Sequence, residues 1–325
     1  VNRFVLHIIV LLSVISMYGQ NLIYNGGFEE YSSCPQGNEL NDGQFERAVG
    51  WFRPTMSTPD YYNRCNTGIV SIPDNFWGHQ EALQGDGYAG FGAIAWDQTG
   101  NSLGNEYLRT ELLYRLKPCV EYRYTMYVSL SDISTHGVGR LGAWFSQTDD
   151  YFPIWTSLTV TPQVIHDGAP IIDSTNWVKI EGTFVADGYE KYLTVGYFFD
   201  NVHSDTTFVQ DWGLSSEALY YVDNISLIEL EEVSSDLCSN VGLILPNVIT
   251  ANGDGVNDVM DASNILDVVS EIRILNRWGN TVAILGKDNP IWDGGDCTAG
   301  VYYYLIDFHL EIGLKQQNGF IQLIR

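Results

Sequence analysis

The sequence predicts an all-β protein in two parts, an N-terminal jelly-roll β-sandwich and a C-terminal immunoglobulin-like β-sandwich. Three observations carry this expectation. Strand signals rich in aromatic and β-branched residues recur in series, separated by clusters of Gly, Asn, Asp and Pro. No segment sustains a helical apolar period, apart from a weak turn or two around 209–218. A polar stretch from Glu231, short of strand signal, divides the chain. At 325 residues the length suits two domains. The expected division is a leader over 1–20, a jelly roll over 21–231, a linker over 232–244 and a sandwich over 245–325.

The leader has one basic residue, Arg3, an apolar run from Phe4 to Ile15 and a small residue at Gly19. That is the pattern of a secretory signal peptide, too short for a membrane span of about twenty apolar residues. No other segment is apolar enough to span, so the expected mature protein is exported, at the cell surface or extracellular, with no transmembrane segment.

Beyond the leader, Asn21–Glu30 reads as a short strand running into a glycine turn and carboxylates. Residues 31–87 read as loop-rich, with scattered aromatics. Strands are expected at 88–95, 107–116, 120–130, 140–146, 157–164, 177–185, 192–199 and 219–230. Over 120–130, Tyr122, Tyr124, Met126 and Val128 share one face while Glu121 and Arg123 share the other. Many strands between turn clusters mean a sandwich or jelly roll. In the last part, strands are expected at 272–278, 281–285, 301–308 and 319–324, with turns at Trp278–Asn280 and Trp292–Gly295.

Two sets of motifs carry resemblances. Asn25-Gly-Gly-Phe-Glu29 and Tyr220-Tyr-Val-Asp-Asn-Ile-Ser-Leu227 resemble the opening and closing strands of galactose-binding-like jelly rolls, which include many carbohydrate-binding modules. The resemblance implies that these ends lie side by side and that a structural calcium sits where they meet, with Glu29 and Asp223 as candidate ligands. The stretches DYYNRC at 60–65 and GYAG at 87–90 resemble surface modules of Bacteroidetes. The last part carries LPNVITANGDGVND, IRILNRWGN, WDGG, AGVYYYLI and GFIQLIR in order. It resembles the gliding-motility-associated C-terminal domain, the type B sorting signal of the type IX secretion system, with Ala251 where that family usually has Pro. The resemblance implies the type IX machinery as a partner and passage across the outer membrane.

Composition narrows the function. Sixteen basic residues against forty acidic ones give a net charge of −24, which disfavours nucleic acid and anionic lipid surfaces. Nine Trp and twenty Tyr suit both β-cores and platforms for sugars. Trp51, Tyr61, Tyr62, Trp77, Trp96 and Trp155 lie in loop-like stretches and are the candidate glycan-stacking residues. Extracellular polysaccharide or other surface proteins are the expected ligands.

Around the turn 252–261, Asn252, Asp254, Asp258 and Asp261 alternate with glycines and could hold a second calcium, or shape a turn through side-chain to backbone bonds. Five cysteines in an exported chain suggest disulfides. Cys34 with Cys65 and Cys238 with Cys297 would each staple one part, leaving Cys119 as a buried thiol. Catalytic signals are thin. The six His lack metal-binding spacing, no Gly-x-Ser-x-Gly elbow occurs, and Glu106, Arg109 and Glu111 are expected to form ion pairs. The expected protein is therefore not an enzyme, with a polysaccharide hydrolase as the alternative.

Overall fold

A computed structural model describes residues 19–37, 44–96, 102–199, 206–211, 216–232, 245–263, 266, 269, 271–310 and 313–325. Most of the leader and the linker, with Cys238, lie outside the described residues.

The N-terminal part is a sandwich of two antiparallel sheets. The back sheet runs in the order Trp51–Phe52, Tyr107–Glu111, Tyr192–Tyr197, Leu141–Ser146, Val164–Ile165. The front sheet runs Val178–Val185, Val120–Leu130, Ser216–Glu232, Gly87–Trp96, Asp60–Asn63, with Ser102–Gly104 also paired to Gly87–Trp96. Alternation builds the core. Tyr122, Tyr124, Met126 and Val128 point inward as expected and meet Phe145, Leu193 and Val195 from the back sheet. Phe145 stacks on Phe184 at 4.5 Å across the two sheets.

The opening and closing segments do lie side by side. Leu22 N donates to Leu227 O at 2.9 Å and Ile225 N to Gly26 O at 2.8 Å, and the Asn21 amide bonds the backbone of Ile225 and Leu227. Glycine is required at position 26, because a Cβ there would stand 2.0 Å from Ile225 O.

One expected strand is absent. Residues 157–163 are irregular, and only Val164–Ile165 pairs. The apolar residues that suggested a strand there, Leu158 and Val160, instead cover the outer face of the back sheet beside Tyr107 and Phe198.

In the C-terminal part, one sheet has the order Val248–Thr250, Gly313–Ile324, Gly300–Leu310, Glu271–Leu275, Thr281–Leu285. Its first pair is parallel. The opposing layer is a two-stranded ribbon, Met260–Asp261 with Ile291–Trp292. Between them Ile249, Met260, Ile272, Ile274, Trp292, Ile306, Ile321 and Leu323 form a second core. Ala251 N donates to Ile324 O at 3.0 Å, a bond that the usual Pro could not make.

Cys34 and Cys65 form a disulfide. The other cysteine expectations are corrected. Cys119 is disulfide-bonded and not a thiol, and Cys297 is a free thiol, so it makes no pair with Cys238.

Candidate binding site

The register of the front sheet decides which side chains face away from the core. Tyr61, Ala89, Phe91, Tyr220 and Val222 enter it, so Asp60, Tyr62, Tyr88, Gly90, Gly92 and Tyr221 leave the opposite face. The segment 64–86 folds back over part of that face as a roof. Val70, Ile72 and Trp77 pack there on Tyr62, Tyr88 and Tyr221. Polar bonds fix the roof: Tyr221 Oη donates to Asn75 Oδ1 at 2.8 Å, Asn75 Nδ2 to Tyr88 Oη at 3.0 Å, and Trp77 Nε1 to Asp60 Oδ2 at 2.9 Å. The Cys34–Cys65 bridge ties its base to the opening segment.

The roof stops short of Gly90 and Gly92, and a cleft of about 290 Å³ opens above them. No side chain rises from either glycine to fill it. At Gly90 none could, since a Cβ would stand 2.8 Å from the Tyr62 ring. Asp60, Tyr62, Trp77, Glu106, Trp155, Glu217, Leu219 and Tyr221 are among the residues that line it. Trp155 is 48% exposed, and its carbonyl accepts from Asn105 N at 2.8 Å, which seats it beside the start of strand Tyr107–Glu111.

Two carboxylates are held firmly in this cleft. Glu106 Oε2 accepts from Gly92 N at 2.7 Å, while Oε1 accepts from Thr58 N at 3.1 Å. Burial pushes the Glu106 carboxyl up to about 7, and the charge of Asp60 adds to this while the amide donors oppose it. Asp60 Oδ2 accepts from both Tyr62 Oη and Trp77 Nε1.

The sequence candidates separate against this geometry. Trp77 and Trp155 line the cleft. Trp51 and Tyr61 are corrected to core residues. Trp51 is 2% exposed, packed on Phe28 with its indole N–H donating to Asn25 O, and Tyr61 is 1% exposed. Tyr62 borders the cleft but is also 1% exposed, so its ring face is closed to a ligand. Trp96 ends strand Gly87–Trp96, and its side chain is outside the described residues. Asp60, Glu106 and Glu217 were not singled out as ligand contacts. The Gly90-Phe-Gly92 alternation is the signal that could have found their cleft, because a strand face without side chains leaves room.

The expected ion pairing of Glu106, Arg109 and Glu111 is also corrected. Only Glu111 pairs, with Lys191 at 3.1 Å. Arg109 is fully buried between Trp144 and Phe152, donating to Thr194 Oγ1 and Asp150 O, and burial lowers its guanidinium to about 10.

The two calcium expectations meet different surroundings. Glu29 and Asp223 both border Gly27, each 3.9 Å from where its Cβ would be. Asp86 and Gly87 amides donate to Glu29, and Leu83, Gln84 and Asn224 amides donate to Asp223. The charge of Glu29 acts on Asp223, and both carboxylates are engaged by backbone N–H donors. In the 252–261 loop, Asp258 instead sits in a ring of donors, accepting from the N–H groups of Asn252, Gly253 and Gly255. Asp254 accepts from Val256 N, and Asp261 turns away to Ser263. Asp258 thus shapes the turn through side-chain to backbone bonds, the alternative the sequence offered for this loop. Among the described residues no group of three or more ligating side chains could hold a metal.

The chain resembles several solved β-structures, all at low identity. The xylan-binding CBM22-1 domain of Xyn10C from Paenibacillus barcinonensis is 11% identical, with a TM-score of 0.35, covering 66% of this chain and 98% of that one. A putative sugar binding protein of Bacteroides thetaiotaomicron is 11% identical, with a TM-score of 0.34, covering 65% of this chain and 100% of that one. A CBM4 structure is 13% identical, with a TM-score of 0.30, covering 64% of this chain and 99% of that one. Among curated proteins, none matches the chain in sequence. No helix among the described residues is long and apolar enough to cross a membrane. Residues 243–323 match the CHU_C type IX secretion signal domain, which marks the chain for export to the cell surface or the extracellular space by the type IX machinery.

Proposed function

We propose that the exported protein is a non-catalytic binder of extracellular glycan, with the ligand seated in the front-sheet cleft. The observation that carries this is the half-exposed Trp155 ring and the fixed hydrogen-bonding groups that line a cleft opened by Gly90 and Gly92. Sugars need both an aromatic face for their C–H surface and oriented polar groups for their hydroxyls. The reading as a binder rather than a hydrolase is supported by Glu106, whose two oxygens are each engaged by donors of the protein itself.

The test is a glycan array followed by titration of the strongest hit. Trp155→Ala should weaken binding about tenfold or more, while its unfolding free energy stays within about 0.5 kcal/mol of wild type, as expected for an exposed side chain. A blank array would sink the glycan reading and leave protein partners as the alternative.

The pairing of Glu29 with Asp223 supports a structural calcium at the junction of the two ends. Calcium should raise the melting temperature of the full chain, chelation should lower it, and Glu29→Gln should abolish the response. An unchanged melting temperature in wild type would reject the ion.

A further inference from the structure

We infer that Asn105, a buried residue outside the cleft lining, is the positioning residue that sets the Trp155 ring before a ligand arrives. This rests on the glycan reading above and adds the residue through which that site is held.

The Trp155 segment has little else to fix it. Trp155 lies in an irregular bend, and among the described residues it makes one hydrogen bond, in which its carbonyl accepts from Asn105 N at 2.8 Å. Its ring is half-exposed, so packing fixes it only in part and the backbone must do the rest. The Asn105 side chain ties that backbone on two sides. Its Oδ1 accepts from Ser157 Oγ at 3.3 Å, two residues beyond Trp155, and its Nδ2 donates to Ala93 O in the front sheet.

Ala93 is where strand Gly87–Trp96 bulges. Gly92 pairs with Leu219 and Ile94 with Ala218, so Ala93 is the extra residue against strand Ser216–Glu232. A bulge residue is released from the ladder, and here its carbonyl is taken up by Asn105. The bulge follows directly on Gly92, which borders the cleft. One buried side chain therefore joins the strand that carries the cleft's glycines to the segment that carries its exposed indole. Gly104 lets the two segments close, since a Cβ there would stand 3.0 Å from Trp155 O, at a φ of 138° that favours glycine. On either side of Trp155, Met56 N donates to Ile154 O at 3.2 Å and Leu158 N donates to Tyr107 Oη at 2.9 Å. These bonds hold the flanks of the segment, and Asn105 holds its middle. A ring fixed in this way loses little freedom on binding, and affinity gained by preorganisation is lost when the fixing is lost.

The test labels the full chain with 5-fluorotryptophan and follows Trp155 by fluorine NMR, its signal assigned as the one that Trp155→Phe removes. In Asn105→Ala that signal should shift or broaden, while the signal of the core residue Trp51 stays in place. Titrated with the strongest hit of the glycan array, Asn105→Ala should bind about tenfold more weakly, and Ser157→Ala, which removes only the hydroxyl side of the tie, about threefold. A purely structural Asn105 would lower the melting temperature and leave both readings alone. If Asn105→Ala does not fold, Ser157→Ala carries the test through a smaller shift of the same signal. An unmoved Trp155 signal in the folded variants overturns the positioning role, whatever the array shows. A moved signal with wild-type affinity overturns its part in recognition. A blank array removes the glycan, and the fluorine signal alone then decides whether Asn105 sets the ring.

Discussion

The front sheet of the sandwich and the sheet of the secretion signal present aromatic rows on the side away from their cores, and the two rows have different fates. On the front sheet Tyr62, Tyr88 and Tyr221 are 1%, 0% and 2% exposed. On the C-terminal sheet the cross-strand neighbours Tyr303 and Phe320 are 46% and 53% exposed, and Ile284 is 52% exposed. The strands themselves do not explain this. The long connection from Asn63 to Gly87 returns over the front sheet, whereas the tight turn at Asn276–Asn280 returns at once to its own sheet. A second apolar layer exists only where a connection is long enough to supply one, and a cleft exists where that layer ends early.

The strongest challenge to this contrast is Tyr88→Ala. It deletes a fully buried ring together with bonds to Asn75 and Gln80. Urea unfolding of the full chain should show a loss of about 4 kcal/mol for the sandwich, typical of aromatic-to-alanine changes in a core. A loss under about 1 kcal/mol would mean that the roof contributes no core of its own.

A second effect separates the two parts by pH. Burial raises Asp223 from 3.8 to about 7 and Glu106 from 4.5 to about 7. Between these limits the folded sandwich keeps protons that the unfolded chain has released. Its stability should therefore fall, by several kcal/mol and by about 8 at most, as pH rises from about 4 to about 7. Glu106→Gln should flatten the slope. Asp258 in the secretion signal shifts the other way, held below the usual carboxylate range by the N–H groups of Gly253 and Gly255. Its contribution is present above that range and lost as pH falls through its folded value. A sandwich that grew more stable over the same rise would contradict the burial of Asp223.

The smallest effect is expected on the open face. Phe320→Ser should change unfolding of the C-terminal part by about 1 kcal/mol or less, because its ring is more than half exposed. A larger loss would show that this face is covered in solution.

Much of the architecture was legible because alternation records burial directly. Strand Val120–Leu130 follows its expected bounds and inward face, and the two end motifs do meet. Alternation says nothing about which layer a residue joins, however. Leu158 and Val160 read as strand because they are apolar, yet they serve a cover. Trp51 and Tyr61 read as free loop aromatics because their strands are only two and four residues long. Asp60 and Glu106 converge from 46 positions apart with no local motif. Their meeting depends on pairing across the sheet, which no spacing records.

The junction of the two ends also sets how the protein carries load. Gly19 lies against Ile228 and Glu229, and Asn21 bridges antiparallel to Ile228, so the incoming and outgoing chain leave the sandwich in the same direction. Tension between them would peel the Leu22–Leu227 and Ile225–Gly26 bonds one after another. The outgoing chain continues strand Ser216–Glu232, whose first half pairs with Gly87–Trp96 and whose second half pairs with Val120–Leu130. A load along that strand would engage its bonds to both neighbours together, while a load at the end junction would meet its bonds one at a time.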